Sequence, residues 1–219
     1  MSAVPAPVKE DLTIAGPVGA LEALLEAPAS IAPKALALVC HPHPLHGGTM
    51  TNKVVHTLAR GFVAIGAAAL RFNFRGVGAS QGSHDAGVGE VEDAIAAAAW
   101  LRGRWPGSPL YLGGFSFGAA VAVRAAETIQ PSGLVTVALP FERLDADQEP
   151  PDVPWLLLHG SEDELINLDA LIDWLNEQPP GPELEVIAEA DHFFHGKLPE
   201  LRDGVEAFFR PLIAAAAAR

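Results

Sequence analysis

Short, continuous apolar runs alternate along the chain with amphipathic or alanine-rich stretches, and glycine and proline separate them. The runs Ala35–Cys40, Ala68–Phe72, Leu110–Phe115, Gly133–Ala138 and Trp155–His159 have the length and composition of strands buried on both faces. Leu184–Ala188 reads as a last strand, and residues 10–14 and 19–25, parted by Gly16, Pro17 and Gly19, as an opening hairpin. Helices are predicted from Asn52 to about Ile65 with Thr51 as cap, over Glu90–Trp100, Gly118–Thr128 and Leu168–Glu177, and over Leu198–Ala217. Repeated strand–helix–strand units predict one α/β domain over 1–219, a mostly parallel central sheet with helices on both faces. No repeat period, linker or low-complexity spacer divides it.

Composition narrows the function. The 219 residues carry 14 Lys+Arg against 27 Asp+Glu, a formal charge of −13, with 49% hydrophobic residues. A polyanionic partner such as nucleic acid is disfavoured, because the basic residues are scattered singly. One cysteine, Cys40, excludes an internal disulfide framework and reads as a small buried strand residue. The N-terminus shows no secretory pattern and no apolar stretch reaches membrane-spanning length, so the expectation is a cytoplasmic protein without membrane association. Homo-oligomerisation is left open.

The most informative stretch is Gly113-Gly114-Phe115-Ser116-Phe117-Gly118, a G-x-S-x-G between a predicted strand and a predicted helix. A sharp strand-to-helix turn presents a serine hydroxyl, and flanking glycines remove side chains that would collide across it. The helix start behind Ser116 also offers free N–H groups to a developing oxyanion. Serine needs a base and an orienting acid, which in this kind of sheet follow in the order Ser, acid, His. Asp163, at the end of an H-G-x-x-D run after Trp155–His159, is the expected acid, with Glu162 or Glu164 as fallback. His192 is the expected base and is preferred to His195 because it comes first after the last strand.

The loop His41-Pro42-His43-Pro44-Leu45-His46 follows the strand Ala35–Cys40. In a serine hydrolase of this topology it supplies one oxyanion donor beside the N–H of the residue after the nucleophile, Phe117. Pro42 and Pro44 have no N–H, which leaves His43, then Leu45. His41, His43 and His46 also allow a metal-site reading, although H-x-H-x-x-H without a following aspartate fits no common hydrolytic motif. His41 is expected to anchor the loop instead. Arg75 is expected to pair with a carboxylate or cap its loop, and no phosphate-binding lysine motif occurs anywhere.

Taken together, HPHPLHGGTMTNKVV (41–55), RFNFRGVGASQG (71–82), GGFSFGAA (113–120), LLLHGSED (156–163) and DHFFHGKL (191–198) resemble the α/β-hydrolase superfamily, and within it the small lidless bacterial serine hydrolases of carboxylesterase-like or dienelactone-hydrolase-like type. The resemblance implies Ser116 as nucleophile, Asp163 as acid, His192 as base and the His43 and Phe117 amides as oxyanion hole, with no cofactor or metal. One departure is Asn73, where the superfamily usually has aspartate. Family enzymes usually insert their cap after the strand placed at Gly133–Ala138. Here only residues 139–154 intervene, so an open site without a cap domain is expected, with Phe115, Phe117, Phe141, Phe193 and Phe194 as candidate acyl-pocket walls. The expected activity is hydrolysis of a small carboxylic ester; thioester hydrolysis or acyl transfer would use the same residues. The rivals are a metal-dependent hydrolase on the histidine loop and a non-catalytic binding protein using the fold alone.

Overall fold

Apolar runs with almost no polar alternation need cover on both sides, and the structure gives it to them. The computed structural model describes residues 6–29, 32–145, 150–178 and 181–217. All side chains of β3 (Ala35–Cys40), β4 (Ala67–Phe72), β5 (Leu110–Phe115), β6 (Gly133–Val137) and β7 (Trp155–Gly160) are buried. With β1 (Val8–Gly16), β2 (Gly19–Ala27) and β8 (Glu183–Ile187) they build one sheet in the order β1-β2-β4-β3-β5-β6-β7-β8. The six strands from β4 to β8 in that order are mutually parallel, and the β1–β2 hairpin adds an antiparallel edge against β4.

Alternate side chains of each buried strand feed two cores. On one face α1 (Lys53–Ala64) and α5 (Leu198–Ala217) pack Leu58, Phe62, Val205 and Phe209 over Val39, Ala69 and Tyr111. On the other, α2 (Val88–Arg104), α3 (Phe117–Ile129) and α4 (Leu168–Asn176) cover Leu38, Leu70, Leu112 and Leu157. Among the described residues, no helix is long and apolar enough to cross a membrane.

Two boundaries differ from expectation for local reasons. The cap of α1 is Asn52, whose Oδ1 accepts the N–H groups of Val54 (2.9 Å) and Val55 (3.4 Å), while the Thr51 hydroxyl is turned to Thr49. Helix α2 begins before Glu90 because that carboxylate reaches back to the Gly87 N–H at 2.8 Å, and it runs on to Arg104. Between β6 and β7 the described residues form a single 3₁₀ turn, Phe141–Arg143; residues 146–149 of this connection lie outside the described residues.

The hairpin is tied down by charge. Glu26, on β2, is fully buried and pairs with Arg71 (2.9 Å) and Lys9 (3.1 Å). Burial pushes its carboxyl up, but the two cations outweigh that and hold it below the usual range. Arg71 also donates to the Met50 carbonyl at 2.6 Å, which links the hairpin to the loop before α1.

Candidate active site

From β3 the chain crosses to β4 on one side and later returns to β5 on the other. In open α/β sheets the crevice at such a reversal, beyond the strands' C-terminal ends, is where ligands bind. The loops after β3, β4, β5, β7 and β8 meet there.

Ser116 occupies the turn from β5 into α3 with φ 52° and ψ −122°, a conformation that L-residues rarely adopt. Its N–H is held by the Val137 carbonyl at 2.8 Å. The turn is closed so tightly that a Cβ on Gly118 would overlap the carbonyl oxygens of Cys40 and His41, and one on Gly114 would overlap that of Gly118. Glycine at both positions is therefore a steric requirement.

His192 Nε2 lies 3.2 Å from Ser116 Oγ, and His192 Nδ1 lies 2.8 Å from Asp163 Oδ2. A carboxylate only accepts, so Nδ1 carries the proton and Nε2 presents its lone pair to the hydroxyl. The other Asp163 oxygen accepts the N–H groups of Leu165 and Ile166, both at 2.9 Å. Burial pushes the Asp163 carboxyl up, yet the His192 imidazole and these two amides outweigh it and hold it below the ordinary aspartate range. The carboxylate is thus kept ionised with no exposed surface. Glu162 and Glu164 are both exposed; Glu164 accepts the His192 backbone N–H at 3.2 Å, which steadies the loop rather than the ring. His195 is 72% exposed and bonded to Asp191 at 2.6 Å, away from Ser116.

Behind Asp163 lies His159, buried in β7. Its Nε2 sits 3.1 Å from the Ile166 carbonyl and 3.9 Å from Asp163 Oδ2. Burial pulls its pKa down despite the carboxylate, so the neutral ring donates to the Ile166 carbonyl and pins the turn that carries Asp163.

Across the cavity, the backbone N–H groups of His43 and Phe117 find no acceptor among the described residues. The Leu45 N–H, the other candidate donor, is taken by His43 Nδ1 at 3.2 Å. His41 holds this loop from below: Nδ1 donates to the Pro42 carbonyl at 2.6 Å and Nε2 accepts the Phe74 N–H at 3.0 Å. Burial brings its pKa down to about 4, as a neutral clamp requires. With both its ring nitrogens engaged, His41 does not converge with His43 and His46. Among the described residues no three His, Cys, Asp or Glu side chains are grouped to hold a metal ion. Cys40 is buried, and that burial pushes its thiol far up.

The space in front of Ser116 is a cleft of about 530 Å³. Its lining includes apolar side chains, Leu165, Ile166 and Phe193, and polar ones, His43, His46, Asn52, Glu142 and Arg143. Of the five phenylalanines proposed as walls, only Phe117 and Phe193 line the cleft. Phe115 and Phe194 are fully buried, Phe115 backing the His192 ring at 5.2 Å, and Phe141 stacks on Trp174.

A protein-family profile described as serine aminopeptidase, S33, matches residues 33–151, more than half of the chain. The chain belongs to the α/β-hydrolase superfamily. A lidless α/β serine hydrolase from Xanthomonas campestris is 40% identical, with 96% of this chain and 98% of that one covered at a TM-score of 0.89. An α/β serine hydrolase homologue from Coxiella burnetii is 42% identical over 94% and 99% of the two chains, TM-score 0.86. An uncharacterized protein of Rickettsia prowazekii (strain Madrid E) is 36% identical over 185 residues, 79% of this chain and 77% of that one.

This hydrolase, lidless among its described residues like the Xanthomonas protein, departs from the superfamily at Asn73, and the structure supplies a reason. Asn73 Oδ1 accepts the Met50 N–H at 2.8 Å, while Nδ2 donates to Glu22 Oε2 at 2.7 Å. An aspartate would set two carboxylates against each other here. Asn73→Asp is expected to lower stability by about 2 kcal/mol at neutral pH. Because paired carboxylates raise one pKa, the loss should shrink as pH falls towards 5, and thermal melts at pH 5 and 7 measure it. Arg75 pairs with a carboxylate as expected: Asp93, buried on α2, which it grips with Nε and Nη2 at 2.8–3.1 Å. Leu165, Ile166 and Asn52 were not singled out from the sequence, since short apolar and amide residues carry no chemical signature of a site.

Proposed function

We propose that the protein is a serine esterase acting on small carboxylic esters through an acyl-enzyme on Ser116. The hydrogen-bonded line Ser116–His192–Asp163, facing two unengaged backbone N–H groups, carries this reading. Ser116 Oγ attacks the ester carbonyl carbon as its proton passes to His192 Nε2. The carbonyl oxygen becomes an oxyanion facing the His43 and Phe117 amides. Collapse expels the alcohol, which takes the proton from His192. Water, deprotonated by the same nitrogen, then attacks the acyl carbon, and collapse releases the free acid as Ser116 Oγ takes the proton back from His192 Nε2. Asp163 holds the Nδ1 proton and balances the imidazolium charge throughout.

The apolar lining residues Leu165, Ile166 and Phe193 suit a short acyl chain, and the polar ones suit a hydrophilic leaving group. A cleft of this size, with no cap over it among the described residues, supports small-molecule substrates. The test is a fluorophosphonate probe with the labelled residue mapped by mass spectrometry. Labelling at Ser116, lost in Ser116→Ala, is the expected result; a well-folded protein left unlabelled would overturn the reading. A panel of 4-nitrophenyl acyl esters beside an aminoacyl anilide then separates ester from amide cleavage.

A further inference from the structure

His84 and Glu90 lie outside the cleft, yet their pairing reaches both residues whose amides face Ser116. Glu90, in the first turn of α2, has no exposed side-chain surface. It accepts the N–H groups of Asp85 (2.9 Å) and Gly87 (2.8 Å), and His84 Nδ1 lies 2.7 Å from its Oε1. Burial pushes this carboxyl up, but the amides and the imidazole outweigh it and hold it below the usual glutamate range. An ionised acceptor on Nδ1 settles the proton on that nitrogen and locks the ring plane.

The ring so held packs with its centroid 5.0 Å from that of His43 and 5.6 Å from that of Phe117, while His43 and Phe117 lie 4.8 Å apart. The three rings close a triangle. Two of its corners are the residues with unengaged N–H groups, one on the loop after β3 and one at the start of α3. Donors on separate segments stabilise an oxyanion only if their spacing is held, since each must come to about 3 Å from the same oxygen. The His43 carbonyl accepts the N–H groups of His46 and Gly48, both at 3.0 Å, which shapes the loop itself, while residues 45–47 beyond it are exposed.

We infer that His84, locked by Glu90, is a positioning residue of the oxyanion site: it wedges the His43 loop and the first residue of α3 at their working separation. The inference rests on the esterase reading above. Its test compares the wild-type protein with His84→Ala and Glu90→Gln, using a 4-nitrophenyl acyl ester and a trifluoromethyl ketone. The ketone's hemiketal on Ser116 would place its oxyanion on the same two amides. In His84→Ala, kcat is expected to fall about tenfold with KM within about twofold, and ketone affinity to fall by the same factor. Glu90→Gln should shift both in the same direction by about threefold, and it carries the test alone if His84→Ala does not fold.

A fall in kcat without a matching loss of ketone affinity overturns the inference, as does a variant within twofold of wild type in both. A merely structural role for His84 would lower the melting temperature and leave the kcat-to-affinity parallel absent. Failure of the underlying reading is separately visible, because wild-type Ser116 would then resist the fluorophosphonate; that result removes the inference as well.

Discussion

Asp163→Asn is expected to lower kcat/KM by about four orders of magnitude with the fold intact. The asparagine amide fits the same space and keeps the bonds from Leu165 and Ile166 if its oxygen faces them. Its NH₂ would then face His192 Nδ1 and force the proton onto Nε2, the nitrogen that accepts from Ser116 in the proposed mechanism. The imidazolium formed during attack would also lose its counter-charge. Steady-state kinetics on a 4-nitrophenyl ester measures the effect, with Glu162→Gln and Glu164→Gln as comparators. Both should stay within about threefold of wild type, because neither carboxylate reaches the His192 ring. A larger loss in either, with Asp163→Asn active, would move the acid's role to that residue.

Gly118→Ala should be strongly destabilising for one added methyl. The added carbon would sit on the carbonyl oxygens of Cys40 and His41, two backbone groups at the end of a buried central strand. Neither can withdraw without breaking the β3–β5 pairing at Cys40 and Gly114. A loss of more than about 4 kcal/mol is expected, beyond ordinary surface effects. Gly103→Ala is the contrasting case. It lies within α2 with nothing near its Cβ position, so alanine should stabilise by about 0.5–1 kcal/mol. Urea unfolding of the two variants reads both signs on one scale.

Most of the architecture was legible because it depends on short-range pattern. Ala35–Cys40 and Leu110–Phe115 are apolar at every position apart from glycine, which only a strand covered on both sides accommodates at that length. Leu198–Ala217 shows a helical stripe that ends where alanines run out into the terminus. The turn at Ser116 was legible for the same reason, since strand, serine, glycine and helix lie within ten residues. What escaped were features made by distant partners. The H-G-x-x-D run favours Asp163 among the three carboxylates at 162–164, but the amides of the turn to Ile166 that hold it against His192 lie outside that pattern. The His84–Glu90 pair is local, but its meaning comes from ring contacts with residues 41 and 33 positions away along the chain. The hairpin pattern gives the charged side chains of β2 no role, and only the pairing of β4 beside β2 brings Glu22 to Asn73 and Glu26 to Arg71.

That last placement changes what counts as the enzyme's minimal unit. The region shared with the family profile starts at residue 33, after the hairpin, and every reacting group proposed for the site lies beyond that point. Yet Glu22 anchors Asn73 and the Ala79 N–H, and Glu26 neutralises Arg71, which in turn grips the Met50 carbonyl beside the His43 loop. A shortened chain lacking the hairpin would keep the whole chemical apparatus and leave a buried guanidinium without its counter-ion under the floor of the site. The first strand pair is therefore ballast for two loops of the proposed site, and transplanting that site into another scaffold would have to bring the hairpin along.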